Sequence, residues 1–288
     1  MKYNGRVIDI HSHVMHPESI SLRAEVAKFE PDFKILYEDP SSRLASTEDV
    51  LSHMDECDID ASVLLGFPWR SERLLKEHNN MILAASQKEQ DILFALPCIY
   101  PFSDNAKDEA ARCLDSGASG LGEVGLYERD LDSEYIDAMS PVMKICLERS
   151  KPLMLHVNEP VGHDYSGKAP ISIKGIYDFI KAYPENKIIL AHWGGGLLFF
   201  DLLKKEAKNL LKNVWYDSAA SPYLYDKRIW NTAVSIVGAD KILFGTDFPL
   251  LKAKKYISEI EESGLSTSEM ELILYKNAES LLQLQTEF

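Results

Sequence analysis

The chain reads as an α/β protein, a single (β/α)8 TIM barrel spanning residues 1–288 with a long loop after its first strand. Three observations predict this. Eight short runs recur along the 288 residues, most of them continuously apolar rather than alternating, which is the pattern of parallel strands covered on both faces. Longer segments with apolar residues at three- and four-residue steps separate them, as in helices that cover a sheet. The first run ends in HSH and lacks a glycine-rich phosphate turn, which disfavours the doubly wound open sheet, the main alternative.

Taken in order, VIDIH (7–11) is the first strand. From Val14 to about Ser46 there is no clear core element, and a loop of that length in a compact domain is usually functional; a lid or substrate loop is expected. Thr47 is the expected cap of the first barrel helix, TEDVLSHMDEC. ASVLLG (61–66), ILFALPCI (92–99) and SGLGEVG (119–125) are the next strands, with helices over 72–89 and 105–116. The helix over 135–149 places Tyr135, Met139, Val142, Ile145 and Cys146 on one face. PLMLHV (152–157), KIILAHW (187–193), NVWYDS (213–218) and KILFGTD (241–247) complete the strands. Helices are expected over 172–183, 199–211, 226–237 and 254–263. SEMELILYKNAESLLQL (268–284) closes the chain as an amphipathic helix, with Ser268 its candidate N-cap.

A chain that is 45% hydrophobic at this length buries a large core. Its net charge of −14 and pI near 5.0 repel phosphate backbones, so nucleic acid is a poor partner. The basic runs KKEAK (204–208) and KAKK (252–255) read as solvated helix faces. Cys57, Cys98, Cys113 and Cys146 form no C-x-x-C pair and read as small core residues in a reducing compartment. The start MKYNGRVIDI lacks a signal peptide's apolar core, and no stretch approaches the ~18 apolar residues that span a bilayer. A cytoplasmic protein without a membrane partner is expected. No interface signature stands out, and a homodimer is left open.

Barrel enzymes place their chemistry at the C-terminal ends of the strands. The first strand ends in His11 and His13, which a period of two turns the same way. The fourth carries Glu123, the fifth His156, the sixth His192 and the eighth Asp247. Any one of these has a structural reading: a satisfied core histidine, a turn aspartate, a salt-bridged glutamate. Several together at one end of one core make sense when a cation satisfies them, because buried imidazoles and carboxylates are otherwise costly. Such donors suit zinc first, with manganese or another divalent ion as alternatives. His16, His53 and His78 receive no role, and His163 lies in a loop that either faces substrate or is merely exposed. Candidate substrate-binding residues are Trp69 and Arg70 in GFPWR, Arg129 after the fourth strand, and Trp193 after His192; Tyr127 and Tyr223 lie near the same strand ends. An arginine there suits a substrate carboxylate.

VIDIHSHV, LMLHVNEP, IILAHWGGG and ILFGTDFP resemble the signature strands of the amidohydrolase superfamily, nearest to the amidohydrolase-2 type, which also contains decarboxylases. YKNAESLLQL is similar to that branch's final helix, so the resemblance runs from residue 7 to about 284. It implies a mononuclear site in which His11, His13, His156 and Asp247 hold the metal and His192 stands beside water or substrate oxygen. Branches with a carboxylated lysine need lysine on strand 4. Here that strand reads GEVGL, similar instead to the glutamate strand of TatD-type hydrolases, which can hold two metals. Glu123 and His192 are therefore further candidate ligands, and one or two ions are left open. The expected activity is hydrolysis of an amide, lactone or ester bond in a small-molecule substrate, with Asp247 handling the proton and His192 polarising the carbonyl. The alternatives are non-oxidative decarboxylation of an aromatic or enoic acid, and a TatD-like nuclease or phosphodiesterase, which the acidic charge weakens. A metal-binding barrel acting only as an interaction module is the non-catalytic alternative.

Overall fold

In the computed structural model, which describes residues 3–204 and 206–284, eight parallel strands follow one another in chain order. Lys205 of the basic run KKEAK and the ends of the expected 1–288 domain lie outside the described residues. The strands are β1 (Ile8–His13), β2 (Ala61–Leu65), β3 (Leu93–Leu96), β4 (Leu121–Val124), β5 (Leu153–Leu155), β6 (Ile188–Leu190), β7 (Val214–Asp217) and β8 (Ile242–Leu243). Regular ladders join β1-β2-β3 and β4 through β8. Scattered hydrogen bonds outside these ladders bridge the two remaining gaps. Ser119 N–H donates to Ala95 O at 3.0 Å and Gly122 N–H to Pro97 O at 2.9 Å between β3 and β4. Ile10 N–H donates to Phe244 O at 2.9 Å and His13 N–H to Phe248 O at 2.7 Å between β8 and β1. The architecture is the TIM barrel that the strand count predicts.

The continuous apolar runs are explained by burial on two faces. Ile8, Ile10, Val63, Leu65, Leu96, Met154, Ile189 and Leu243 pack together inside the barrel, where Leu281 and Leu282 of the closing helix join them. The residues between them, among them Leu64, Leu153, Leu155, Ile188, Leu190 and Val214, pack outward with the helices. All four cysteines are buried free thiols. No helix among the described residues is long and apolar enough to cross a membrane.

Several boundaries differ from expectation. The first barrel helix, Thr47–Cys57, is capped by Ser46: its side chain accepts from Asp49 N–H while Asp49 accepts from Ser46 N–H, and Thr47 is already helical. The final helical segment begins in the same way at Ser266, with Glu269 as reciprocal partner, so Ser268 lies inside it. The expected helix over 199–211 is replaced by tight 3-10 turns over His192–Leu202 and a short helix Glu206–Leu210. The backbone at Trp193, Gly194, Gly195 and Gly196 is left-handed, which breaks a regular helix there. The loop after β1 carries three short helices, Pro17–Ser21, Arg23–Val26 and Pro31–Tyr37, and buries Phe33 against Phe67 and Trp69.

Candidate metal centre

The site begins with a register shift in β1. Ile8 and Ile10 face the barrel interior, so strict alternation would turn His11 away from it. Between Asp9 and Ser12 the pairing with β2 slips by one residue, and a bulge of this kind re-aims the side chains beyond it. His11 and His13 then meet, their Nε2 atoms 3.1 Å apart. Gly245 of β8's extension leaves room for this, since a Cβ there would come within 2.8 Å of His11 Cβ.

Around this pair, the carboxylates of Glu123 and Asp247 converge. Glu123 Oε2 lies 3.8 Å from His11 Nε2 and 3.6 Å from His13 Nε2. Its other oxygen, Oε1, lies 2.9 Å from His156 Nδ1 and 3.5 Å from His192 Nε2. Asp247 Oδ1 lies 3.2 Å from His13 Nε2 and 3.6 Å from His11 Nε2. His156, His192 and Asp247 all sit beyond the last residue of their strands rather than on them, where the ladders end and the backbone is free to turn. His192 and Asp247 have φ of 54° and 66°, a left-handed conformation that is uncommon outside glycine and gathers at functional sites.

The donors form two overlapping groups that fit a cation, His11 with His13 and Asp247, and His11 with Glu123 and His192. His156 joins through Glu123, and its Nε2 is buried without a hydrogen-bond partner. Electrostatics bind the cluster tightly. Burial lowers the pKa of His11, but Asp217 and Glu123 outweigh it and raise the group to about 10. Burial likewise lowers His192, while the Glu123 hydrogen bond and Asp247 bring it up to about 9. Burial raises Glu123, yet His156 and His11 hold it well below the usual carboxylate range. Burial raises Asp247 too, and His13, His11 and His192 pull it down to about 2. So many basic nitrogens against carboxylates in one largely buried cluster bind either protons or a metal ion.

Above the cluster is a cavity of about 480 Å³. Its floor includes His13, Glu123, His156, His192 and Asp247, and its walls carry Tyr37, Tyr127, Tyr165, Tyr223 and three leucines. Arg43 and His163 also line it. The four candidate substrate side chains lie elsewhere. Trp69 is fully buried and donates Nε1–H to His78 Nδ1 at 2.8 Å. Trp193 is fully buried as well, donating to Ser221 Oγ at 2.9 Å and packing on Trp230. Arg70 is held by Asp32 at 3.0 Å and Glu128 at 2.6 Å. Arg129 is held by Asp132 at 2.6 Å and Glu134 at 2.9 Å. These guanidinium groups already have their anions, and the indoles belong to the core. Arg43 has no ion pair among the described residues; its Nη1 reaches only the carbonyls of Pro249 and Leu250, each at 3.5 Å.

Two residues that sequence reasoning passed over support the cluster. Asp9 accepts from the N–H groups of His11 and Thr246, each at 3.0 Å, and burial pushes its carboxyl up to about 6. Asp217, at the end of β7, lies 2.7 Å from His11 Nδ1. The signal for Asp217 was present in NVWYDS, an apolar run ending in a carboxylate like KILFGTD.

A family model described as amidohydrolase matches residues 8–284. No curated protein matches the chain in sequence. Among solved structures, the chain is similar to 5-carboxyvanillate decarboxylase from Sphingomonas paucimobilis, at TM-score 0.77 and 14% identity over 97% of this chain and 99% of that one. It is similar to the 5-carboxyvanillate decarboxylase from Novosphingobium aromaticivorans complexed with manganese and 4-hydroxy-3-methoxy-5-nitrobenzoic acid, at TM-score 0.77 and 18% identity over 98% of each chain. It is also similar to 2,6-dihydroxybenzoate decarboxylase from Rhizobium, at TM-score 0.69 and 19% identity over 99% of each chain. At these identities the likeness establishes the fold.

Proposed function

The chain belongs to the amidohydrolase family, and from that premise we propose that it is a metal-dependent hydrolase of an amide, lactone or ester bond in a small molecule. The observation that carries this reading is Glu123, whose two oxygens face two sets of imidazoles, His11 and His13 on one side and His156 and His192 on the other. His11, His13, His156 and Asp247 are proposed to hold the metal, with Glu123 and His192 as further ligands if a second ion binds. The fit is chemical: facing Nε2 atoms of His11 and His13, an unpartnered His156 Nε2 and two carboxylates suit zinc, manganese or a similar divalent ion. Bound there, the ion supplies Lewis-acid activation of water and of the scissile carbonyl.

The chain's own residues do the rest. Asp247 is the cluster carboxylate open to the cavity, its side chain 14% exposed against 3% for Glu123. It accepts the proton from the attacking water and returns it to the leaving group. His192 stands beside the reacting oxygens and orients the attacking water, accepting a hydrogen bond from it at Nε2. The tyrosine walls hold an apolar or aromatic body, and Arg43, which has no carboxylate partner among the described residues, receives an anionic substituent. One domain covering the chain is part of the same proposal, since the family match runs from β1 to the closing helix.

A second reading, non-oxidative decarboxylation of an aromatic or enoic acid, is supported by the tyrosine walls with Arg43 and by the decarboxylases among the similar structures. One experiment separates the two. The zinc- or manganese-loaded protein is incubated with a panel of lactones, aryl amides, aryl esters and aromatic acids in ¹⁸O-water. Incorporation of ¹⁸O into product supports hydrolysis. Release of carbon dioxide without ¹⁸O incorporation replaces it with decarboxylation.

A further inference from the structure

Strand β7 adds no side chain to the ring of candidate ligands, yet its end holds two of them. Asp217 is fully buried. Its Oδ2 lies 2.7 Å from His11 Nδ1, and its Oδ1 accepts from the N–H groups of His192 at 2.8 Å and Ala219 at 3.0 Å. The carbonyl oxygen of Ala219 lies 3.1 Å from His192 Nδ1.

We propose that Asp217 is a positioning residue which, together with the Ala219 carbonyl, fixes His11 and His192 as Nδ1–H tautomers so that both Nε2 lone pairs face the cation site. The inference rests on the divalent ion proposed above. Its warrant is a count of donors and acceptors. A carboxylate and a carbonyl offer only lone pairs, so each imidazole nitrogen facing them must bring the hydrogen. In a neutral imidazole the remaining nitrogen is then the basic one. For His11 that atom is Nε2, 3.6 Å from Asp247 and 3.8 Å from Glu123; for His192 it is Nε2, 3.5 Å from Glu123. A ring nitrogen with a lone pair facing carboxylate oxygens is a poor neighbour for them and a good one for a cation between them.

The same carboxylate has a second hold on the site. His192 has φ of 54°, and its N–H bond to Asp217 Oδ1 secures that unusual backbone while β6 gives way to the turns that follow. Asparagine cannot replace aspartate here. Whichever way its amide turned, an NH₂ would face either the Nδ1–H of His11 or the two backbone N–H groups.

The test is the zinc affinity of Asp217→Asn, measured by competition with a chromophoric chelator, beside its melting temperature without metal. The expected result is a folded protein whose zinc affinity is about 10- to 100-fold weaker than wild type, the usual effect of losing a carboxylate behind a ligating histidine. A folded variant with wild-type zinc affinity, even if it melts earlier, overturns the inference, because a merely structural role moves the melting temperature alone. A second measurement does not depend on the variant folding. Imidazole ¹⁵N spectra of the zinc-loaded wild type should show His11 and His192 protonated at Nδ1, and Nε2–H tautomers would overturn the assignment. Wild-type protein that takes up no zinc overturns the metal reading and this inference with it. Zinc uptake by the wild type beside equal uptake by the variant overturns the inference alone.

Discussion

Asp247→Asn separates binding from turnover at a single side chain. The amide keeps an oxygen that can face His11 and His13, and asparagine tolerates the φ of 66° about as well as aspartate does. The backbone bond from residue 247 N–H to His11 O, at 2.9 Å, is untouched. What disappears is the charge and the capacity to take a proton. Burial raises the Asp247 carboxyl, but His13, His11 and His192 lower it from 3.8 to about 2. That difference corresponds to about 2 kcal/mol of stability in metal-free protein at neutral pH. The sign follows from the depressed folded value: the contribution is present above the unfolded pKa and is lost as pH falls through about 2. The variant should therefore melt earlier than wild type near pH 7, and the gap should close in strong acid. Losing the proton acceptor should lower kcat by about 100- to 10,000-fold, or about 3–5 kcal/mol of barrier. The assay is kcat with metal content measured on the same sample. A variant with full metal and wild-type kcat would refute the role given to Asp247.

Further outcomes are expected. Chelation should abolish turnover and added zinc or manganese should restore it; activity that survives complete removal of metal contradicts the site as described. Metal binding should release protons near pH 7, because burial lowers His11 but Asp217 and Glu123 bring it up to about 10, and a ligating imidazole must give its proton up. Calorimetry in two buffers of different ionisation enthalpy reads this release, and equal apparent enthalpies would count against it; without metal, the stability due to His11 should be complete below its unfolded value near 6.5 and lost as pH rises through about 10. Glu123→Gln should lower the number of bound ions where two bind, or weaken a single ion, as followed by metal analysis after gel filtration; unchanged content and affinity would leave Glu123 a structural residue. Arg43→Gln should raise KM for anionic substrates several-fold and leave neutral ones alone, whereas Arg70→Gln should change stability and not KM, since Asp32 and Glu128 already hold that guanidinium.

How much of this was legible in the sequence depends on what kind of interaction made each feature. The strands were legible because burial on two faces leaves an uninterrupted apolar run, and the ring of His11, His13, Glu123, His156, His192 and Asp247 because each follows or ends such a run. The direction of His11 was a different matter. A period-two argument pairs it correctly with His13, but Ile10 faces the interior, and only the slip against β2 brings His11 to the mouth. A register shift is set by the partner strand, so one strand's pattern does not reveal it. Asp217 had the same sequence signal as Asp247, and its role became visible only through the two histidines it touches.

The substrate residues show where adjacency in sequence stops being informative. Trp69, Arg70, Arg129 and Trp193 follow strand ends, which sets their height along the barrel axis and says nothing of direction. The cavity is instead closed by Tyr37 and Arg43 from the loop after β1 and by His163 and Tyr165 from the loop after β5, placed by folding that leaves no periodic trace. Charge supplies the more useful criterion. With 45 acidic residues against 31 basic ones, an arginine of this chain readily finds a carboxylate of its own, as Arg70 and Arg129 do. An arginine that lines the cavity and has no such partner among the described residues is thus the exception with chemical meaning. Arg43 meets that criterion, so specificity for anionic substrates should follow Arg43 and not the arginines nearest the strand ends in sequence.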